Sequence, residues 1–263
     1  MNILCIGDIV GRPGREAVAW ALPIIKKEYN IDFVIANAEN ASGGSGLIPK
    51  NADEILSFGV DVMTMGDHVW DKPEIFPYLQ EQQQKIIRPA NFPEGVPGVG
   101  WTIATASNGI KVGVINLLGR TFMRYNVLCP FLALEAIVAK IKEHTSVIIV
   151  DMHAETTSEK VAIGHFSDGK VSLVYGTHTH IQTADEKVLP QGTAYITDLG
   201  MSGPYDSVIG QDKAKIIARF LTSMPHKFEV AQSAATIHGV VLKVDPKTGK
   251  AQGIARLQMA HGG

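Results

Sequence analysis

Cysteine is scarce in this sequence: only two of the 263 residues are cysteines, Cys5 and Cys129. Two thiols cannot build the disulfide framework on which small secreted domains depend. Cys5 lies in an apolar stretch with the pattern of a buried strand, so we expect it to be a free thiol in the core. The simplest expectation is a cytoplasmic protein with reduced cysteines.

Long apolar runs and an excess of one charge are also missing. No run of about 18 apolar residues occurs, so we expect neither a membrane-spanning helix nor a membrane partner. The first residues lack a basic segment and soon reach Asp8, so a signal peptide is not expected. The formal net charge is −2 and no long run of lysine and arginine occurs. Stable binding of duplex nucleic acid is therefore not expected, because it depends on neutralising many phosphates.

The sequence does contain enough apolar residues for a substantial core. Hydrophobic residues make up 45% of the chain and charged residues 19%, which is typical of a globular protein. A chain of this length suits one large domain, and no repeat, low-complexity segment or linker divides it. We therefore expect a single domain over residues 1–263.

Strands and helices alternate in the first part of the chain. Helical periodicity, near residues 15–29 for example, separates buried strands that are predicted near residues 2–7, 32–37 and 60–65. Pro23 is expected to kink the first helix or to end its first part. The order strand, helix, strand, helix, strand is typical of a mostly parallel sheet, so the fold class is α/β.

Polar side chains follow five predicted strands at the points where those strands end. They are Asp8, Glu39, Asn40, Asp67, His68, His153, His178 and His180. In an open α/β sheet, ligands gather at the carboxyl ends of the strands. Each residue alone has an ordinary explanation, such as a turn, a helix cap or a surface ion pair. Their coincidence at five successive strand ends instead indicates one functional site.

His178 and His180 directly follow an apolar strand predicted at residues 171–175. If the chain stays extended, side chains two residues apart point to the same side and can meet one metal ion or two adjacent ions. Imidazole is a good ligand for zinc, iron and manganese-type ions. A pair of surface or core histidines is the alternative explanation of this motif.

Three histidines with two or three carboxylates exceed what one tetrahedral metal requires. The set suits two metal ions about 3.5–4 Å apart, which activate a water molecule and clamp the oxygens of a phosphoryl group. Mixed nitrogen and oxygen ligands without a nearby cysteine indicate iron, manganese or zinc rather than calcium, magnesium or copper(I). We expect two ions per chain, with iron preferred over manganese or zinc.

These residues, in this order, resemble the calcineurin-like metallophosphoesterases, and more closely their YmdB-like branch. The segments that carry the resemblance are residues 7–14, 38–40, 66–68, 153–160, 176–183, 193–198 and 203–206. The resemblance implies a four-layer α/β/β/α sandwich, in which two packed mixed sheets are flanked by helices. It also implies a phosphodiesterase that hydrolyses 2′,3′-cyclic nucleotides or similar small phosphodiesters through a hydroxide shared by the metals. It further suggests a homo-oligomer.

Carried over position by position, the resemblance implies that seven of these side chains bind metal. The first ion would be bound by Asp8, Asn40 and His180, the second by Asp67, His153 and His178, and Glu39 would bridge the two. His68 would instead be the catalytic general acid that protonates the leaving oxygen. An ordinary histidine pKa of about 6.5 suits that role near neutral pH.

One position departs from the family pattern, which reads Gly-Asn-His where this chain reads Gly66-Asp67-His68. Aspartate is a competent metal ligand, so metal binding is expected to survive. Its charge lies where an anionic phosphate must bind, and it favours the protonated form of His68. The hypothesis is a shifted metal preference or a slower turnover.

Two other functions are compatible with the same residues. One is a phosphomonoesterase or 5′-nucleotidase, which rates with nucleoside monophosphates would reveal. The other is a regulatory protein that keeps its metals and binds a nucleotide or a protein with little turnover. A variant that retains metal but lacks His68 would still function in cells if the second alternative were correct, and Asp67 keeps that alternative open.

Overall fold

The computed structural model describes residues 1–260, and in the first part of the chain helices and strands alternate as the sequence predicts. The helices of this part of the chain are α1 (Gly11–Glu28), α2 (Pro49–Ser57), α3 (Ile75–Glu81), α4 (Pro130–Lys142), α5 (Thr157–Phe166) and α6 (Lys213–Thr222). The strands are β1 (Asn2–Ile6), β2 (Asp8–Ile9), β3 (Phe33–Asn37), β4 (Val62–Thr64), β5 (Ile86–Ile87), β6 (Trp101–Thr105), β7 (Lys111–Leu118), β8 (Ile148–His153), β9 (Leu173–Thr177), β10 (Lys187–Val188), β11 (Ala194–Ile196), β12 (Met201–Pro204), β13 (Ala235–Val244) and β14 (Ala251–Ala260).

The strands form two mixed sheets. The first has the order β2-β12-β13-β1-β3-β4-β5, and β14 pairs with β13. The second has the order β10-β11-β9-β8-β7-β6. Strands β1, β3, β4 and β5 are parallel in the first sheet, and β11, β9, β8 and β7 are parallel in the second. The carboxyl ends of these central strands therefore lie at one edge of each sheet.

Alternation along β1 shows how the layers are built. Leu4 and Ile6 belong to the apolar cluster that includes residues of α1 and α2, whereas Ile3 and Cys5 belong to the cluster between the two sheets. A third cluster lies between the second sheet and the helices α4 and α5. The order of layers is helices, sheet, sheet, helices. The predicted four-layer α/β/β/α sandwich is confirmed.

One local prediction needs correction, because helix α1 begins at Gly11 rather than near Arg15. Pro23 lies inside α1 and does not end it, so of the two predicted effects only a kink stays a prediction. Pro23 is on the exposed face of the helix, where water can bind the carbonyl group that loses its intrahelical partner. The single domain over residues 1–263 stays a prediction, and residues 261–263 lie outside the described part of the chain. No helix of residues 1–260 combines the length and the hydropathy needed to cross a membrane.

Candidate metal centre

Four of the predicted ligands meet where two strands of each sheet end. Glu39 and Asp67 follow β3 and β4 of the first sheet, whereas His153 ends β8 and His178 follows β9 of the second. One ligand atom from each residue lies within 4.8 Å of the others, and all but His178 are buried. The interface between the two sheets thus brings two carboxylates and two imidazoles together.

His153 is at the centre of this group. Its Nε2 atom lies 3.0 Å from Glu39 Oε1, 3.2 Å from Asp67 Oδ1 and 3.1 Å from His178 Nδ1. Gly66 makes this approach possible, because a Cβ atom there would lie 2.0 Å from Glu39 Oε2 and 2.3 Å from His153 Nε2. Any other residue at position 66 would push the carboxylate and the imidazole apart.

Hydrogen bonds beneath the group set the orientation of the His153 ring. The Thr177 hydroxyl donates to Asp151 Oδ1 at 2.6 Å, so its oxygen is free to accept from His153 Nδ1 at 2.8 Å. In the neutral ring this leaves the Nε2 lone pair facing the two carboxylates. Asp151 is fully buried, and burial raises its pKa to about 6, so it remains mostly ionised at neutral pH.

The sequence analysis missed Asp151 and Thr177 as supporting residues. The available signal was spacing: Asp151 precedes His153 by two positions on β8, which puts both side chains on the same face of the sheet. Thr64 and Asn37 also donate to Asp151 Oδ2, from the ends of β4 and β3. These contacts join the two sheets directly under the group of four.

The ionisation of the group shows how strongly it favours positive charge. Burial alone would lower the pKa of His153, but Glu39, Asp67 and Asp8 raise it well above its ordinary value. Burial alone would raise the pKa of Asp67, but its hydrogen bonds with His153 and His178 hold it far below its ordinary value. A site that holds a proton this firmly is also one in which a metal cation can replace that proton.

The other three predicted ligands, Asp8, Asn40 and His180, flank the group of four. The Oδ1 atoms of Asp8 and Asn40 are buried and have no hydrogen-bond partner among the described residues. A buried acceptor without a partner costs about 1–3 kcal/mol, so both oxygens are suited to bind a cation. His180 Nδ1 donates to the Ile209 carbonyl at 3.0 Å, which leaves Nε2 free to bind metal. The residues present therefore fit metal ions.

The segment that carries His178 and His180 is not extended, so the expected geometry of this motif is wrong. Both residues have positive φ values, 95° and 65°. Such values are uncommon for residues with a Cβ atom and persist only where the surroundings hold them. Here Asp198 Oδ2 accepts from Thr179 Oγ1 at 2.7 Å and from Lys160 Nζ at 2.6 Å. These hydrogen bonds hold Thr179 in place, and the histidines on either side of it face the site.

His68 lies beside the group of four. Its Nδ1 donates to Asp71 Oδ2 at 2.8 Å, and Arg124 donates to the other oxygen of Asp71 at 2.9 Å. Burial alone would lower the pKa of His68, but Glu39, Asp67 and Asp71 raise it above its ordinary value. With Nδ1 engaged by Asp71, Nε2 is the atom that can exchange a proton with a ligand.

One cavity of about 640 Å³ collects these side chains. Glu39, Asn40, His68, His178 and His180 line its polar part. A glycine-rich loop and an apolar wall complete it, and they contain Gly43, Gly44, Ser45, Ile209, Gln211 and Phe228. The cavity can therefore hold a small ligand with an anionic end and an apolar end.

The chain is similar to known proteins over nearly its whole length. Residues 4–257 match the family described as YmdB-like protein. The chain is 49% identical over 257 residues to a Bacillus subtilis (strain 168) protein named 2′,3′-cyclic-nucleotide 2′-phosphodiesterase, with 98% of this chain and 96% of the relative covered.

Two crystal structures share the fold with a TM-score of 0.92 each. A hypothetical protein from Thermus thermophilus is 38% identical, with 100% of both chains covered. A protein from Mycoplasma pneumoniae described as a novel phosphatase is 33% identical, with 99% of this chain and 93% of its own covered.

Proposed function

The chain belongs to the family of YmdB-like proteins, and from this membership and the site we propose that it is a metal-dependent phosphodiesterase of 2′,3′-cyclic nucleotides or similar small phosphodiesters. The observation that carries the proposal is the group Glu39, Asp67, His153 and His178, whose ligand atoms lie within 4.8 Å of one another beside His68. The name of the Bacillus subtilis relative supports the substrate class.

We propose two metal ions per chain, bound as the family resemblance implies. The ligands would be Asp67, His153 and His178 for one ion, Asp8, Asn40 and His180 for the other, and Glu39 for both. The orphaned oxygens of Asp8 and Asn40 support the second set. Nitrogen and oxygen ligands favour iron, with manganese or zinc as alternatives. When bound, the ions supply the charge that stabilises the phosphoryl transition state and lower the pKa of a water molecule.

The protein's own residues perform the proton transfer and the positioning in this proposal. His68 donates its Nε2 proton to the oxygen that leaves phosphorus, because Nδ1 is already committed to Asp71. Arg124 neutralises Asp71 and keeps that carboxylate in place. Thr177 and Asp151 hold the His153 ring, and the pair of Lys160 and Asp198 holds the loop of His178 and His180.

We also propose that the protein is a cytoplasmic homo-oligomer. The free thiols of Cys5 and Cys129 support the location. Ile217, Phe220 and Leu221 of α6 expose large apolar side chains, which supports association with a second copy.

Purified protein loaded with iron or manganese is expected to contain two metal ions per chain and to hydrolyse 2′,3′-cyclic AMP. Metal analysis and product chromatography measure both quantities on one sample, with a chelated sample as control. Faster hydrolysis of nucleoside monophosphates would favour the phosphomonoesterase or 5′-nucleotidase instead. Two bound ions without turnover of either substrate class would favour the regulatory protein.

Asp67→Asn is expected to increase kcat for 2′,3′-cyclic AMP about fivefold and to change the ratio of iron to manganese that is retained. The substitution removes one negative charge from the phosphate site, and a fivefold change in kcat corresponds to about 1 kcal/mol in the activation free energy. Steady-state kinetics and metal analysis after loading with a mixture of both ions measure the change. If rate and metal ratio both stay the same, Asp67 is a neutral replacement for asparagine and the hypothesis is wrong.

A further inference from the structure

The cavity beside the metal centre has an apolar wall that the proposed reaction does not use. Ile209 and Phe228 form this wall, and about half of each side chain is exposed. Gln211 lies between them along the chain, and its Oε1 atom is buried without a partner among residues 1–260. Hydrolysis at phosphorus requires neither an exposed aromatic ring nor an exposed isoleucine at this place.

The wall is hydrogen-bonded to one of the proposed metal ligands. The Ile209 carbonyl accepts the hydrogen bond from His180 Nδ1 at 3.0 Å. Ile209 has a φ of 46°, which is an outlier for a β-branched residue. Isolated bridges from Val208 to Gln211 and from Gln211 to Val230 fix the chain on both sides of this turn. The surroundings thus hold a strained residue at a fixed position relative to a candidate ligand.

Phe228 separates two cavities. It lines the cavity of the metal centre and also a second cavity of about 560 Å³. Arg219 lines only the second cavity, and its guanidinium carbon lies 4.8 Å from the centre of the Phe228 ring. The cation over the ring therefore belongs to the second cavity, and no described lysine or arginine lines the cavity of the metal centre, which Phe228 also borders.

We propose that Phe228, with Ile209 beside it, is the platform on which the nucleobase of the substrate stacks in the cavity of the metal centre. The inference rests on the proposed function and names the part of the site that recognises the base. A nucleotide has an anionic phosphate at one end and a planar aromatic base at the other. The cavity likewise has the proposed metal ligands in one part of its lining and Phe228 in another.

Stacking on an aromatic side chain tolerates every base, because each base has a π face. The platform therefore selects nucleotides over phosphodiesters without a base, and it discriminates little among the bases. Such selection acts on binding, so it changes KM more than kcat.

The test compares 2′,3′-cyclic AMP with glycerol 1,2-cyclic phosphate, which keeps the five-membered cyclic phosphodiester and lacks the base. Phe228→Ala in the metal-loaded enzyme is expected to raise KM for 2′,3′-cyclic AMP about tenfold and to leave KM for the glycerol substrate unchanged. Phe228→Trp is expected to restore the KM of the nucleotide. Leu132→Ala is the matched control, since Leu132 is an exposed apolar residue of α4 that lines neither cavity.

The outcomes separate this inference from the proposed function. If the wild type hydrolyses 2′,3′-cyclic AMP and Phe228→Ala changes KM for both substrates equally, or for neither, the platform is refuted and the proposed phosphodiesterase function remains. If the wild type accepts the glycerol substrate as readily as the nucleotide, the platform is also refuted. If the wild type hydrolyses neither substrate when loaded with two ions, the proposed function fails, and the inference that depends on it fails too.

Discussion

His68→Ala is expected to lower kcat for 2′,3′-cyclic AMP by a factor of about 10² to 10⁴, the usual contribution of a general acid, while the metal content stays the same. His68 lies beside the group Glu39, Asp67, His153 and His178, and its hydrogen bond to Asp71 keeps it turned away from metal binding through Nδ1. Its loss therefore removes the proton donor and leaves the proposed ligands in place. Steady-state kinetics and metal analysis of the same preparation measure both effects.

The leaving group provides the sharper test of this role. An alkoxide leaves poorly unless it is protonated, whereas p-nitrophenolate leaves without help. His68→Ala is therefore expected to retain most of its activity on bis(p-nitrophenyl) phosphate. His144→Ala is the control, because His144 is exposed after α4, away from the site. An equal loss on both substrates, or a loss of metal, would show that His68 is not the general acid.

The elements of the fold could be predicted because each has a local signal. β1 alternates between residues that face the helices, such as Leu4, and residues that face the second sheet, such as Ile3. Helix α3 was missed because its seven residues are too few for a helical period to stand out from the adjoining loops. The sequence left open whether Pro23 would end α1 or kink it, because the exposure that lets α1 continue past Pro23 depends on tertiary packing.

The residues of the site could be predicted better than their geometry. Glu39, Asp67, His153 and His178 lie at strand ends, and the sheet topology alone is sufficient to collect them. The left-handed conformation of His178 and His180 had only a weak local signal, since histidine adopts positive φ more often than most residues with a Cβ atom but still rarely. It depends on Asp198, which lies after β11 and reaches back to Thr179. Contacts of this kind between distant parts of the chain produce no periodic pattern in the sequence.

Lys160→Met is expected to lower the free energy of unfolding by about 3–5 kcal/mol, because it leaves the Asp198 carboxylate buried without its cation. Both side chains of the pair are at most 1% exposed, and the Nζ–Oδ2 distance is 2.6 Å. Methionine keeps the helix propensity and most of the volume of lysine, so α5 itself is not perturbed. Because Asp198 also holds Thr179, the variant is expected to bind metal more weakly through His178 and His180. Urea unfolding and calorimetric metal titration measure the two effects.

Lys213→Met is the matched control, because Lys213 makes an equally short ion pair with Asp206 at 2.5 Å on the surface. Solvent already screens that pair, so its loss is expected to change the free energy of unfolding by no more than about 0.5 kcal/mol. The double variant Lys160→Met/Asp198→Asn removes both buried charges and keeps an oxygen that accepts from Thr179, so it is expected to recover much of the lost stability and metal affinity. Equal effects of the two single lysine variants, or a double variant as unstable as Lys160→Met, would contradict the idea that an unpaired buried charge causes the loss.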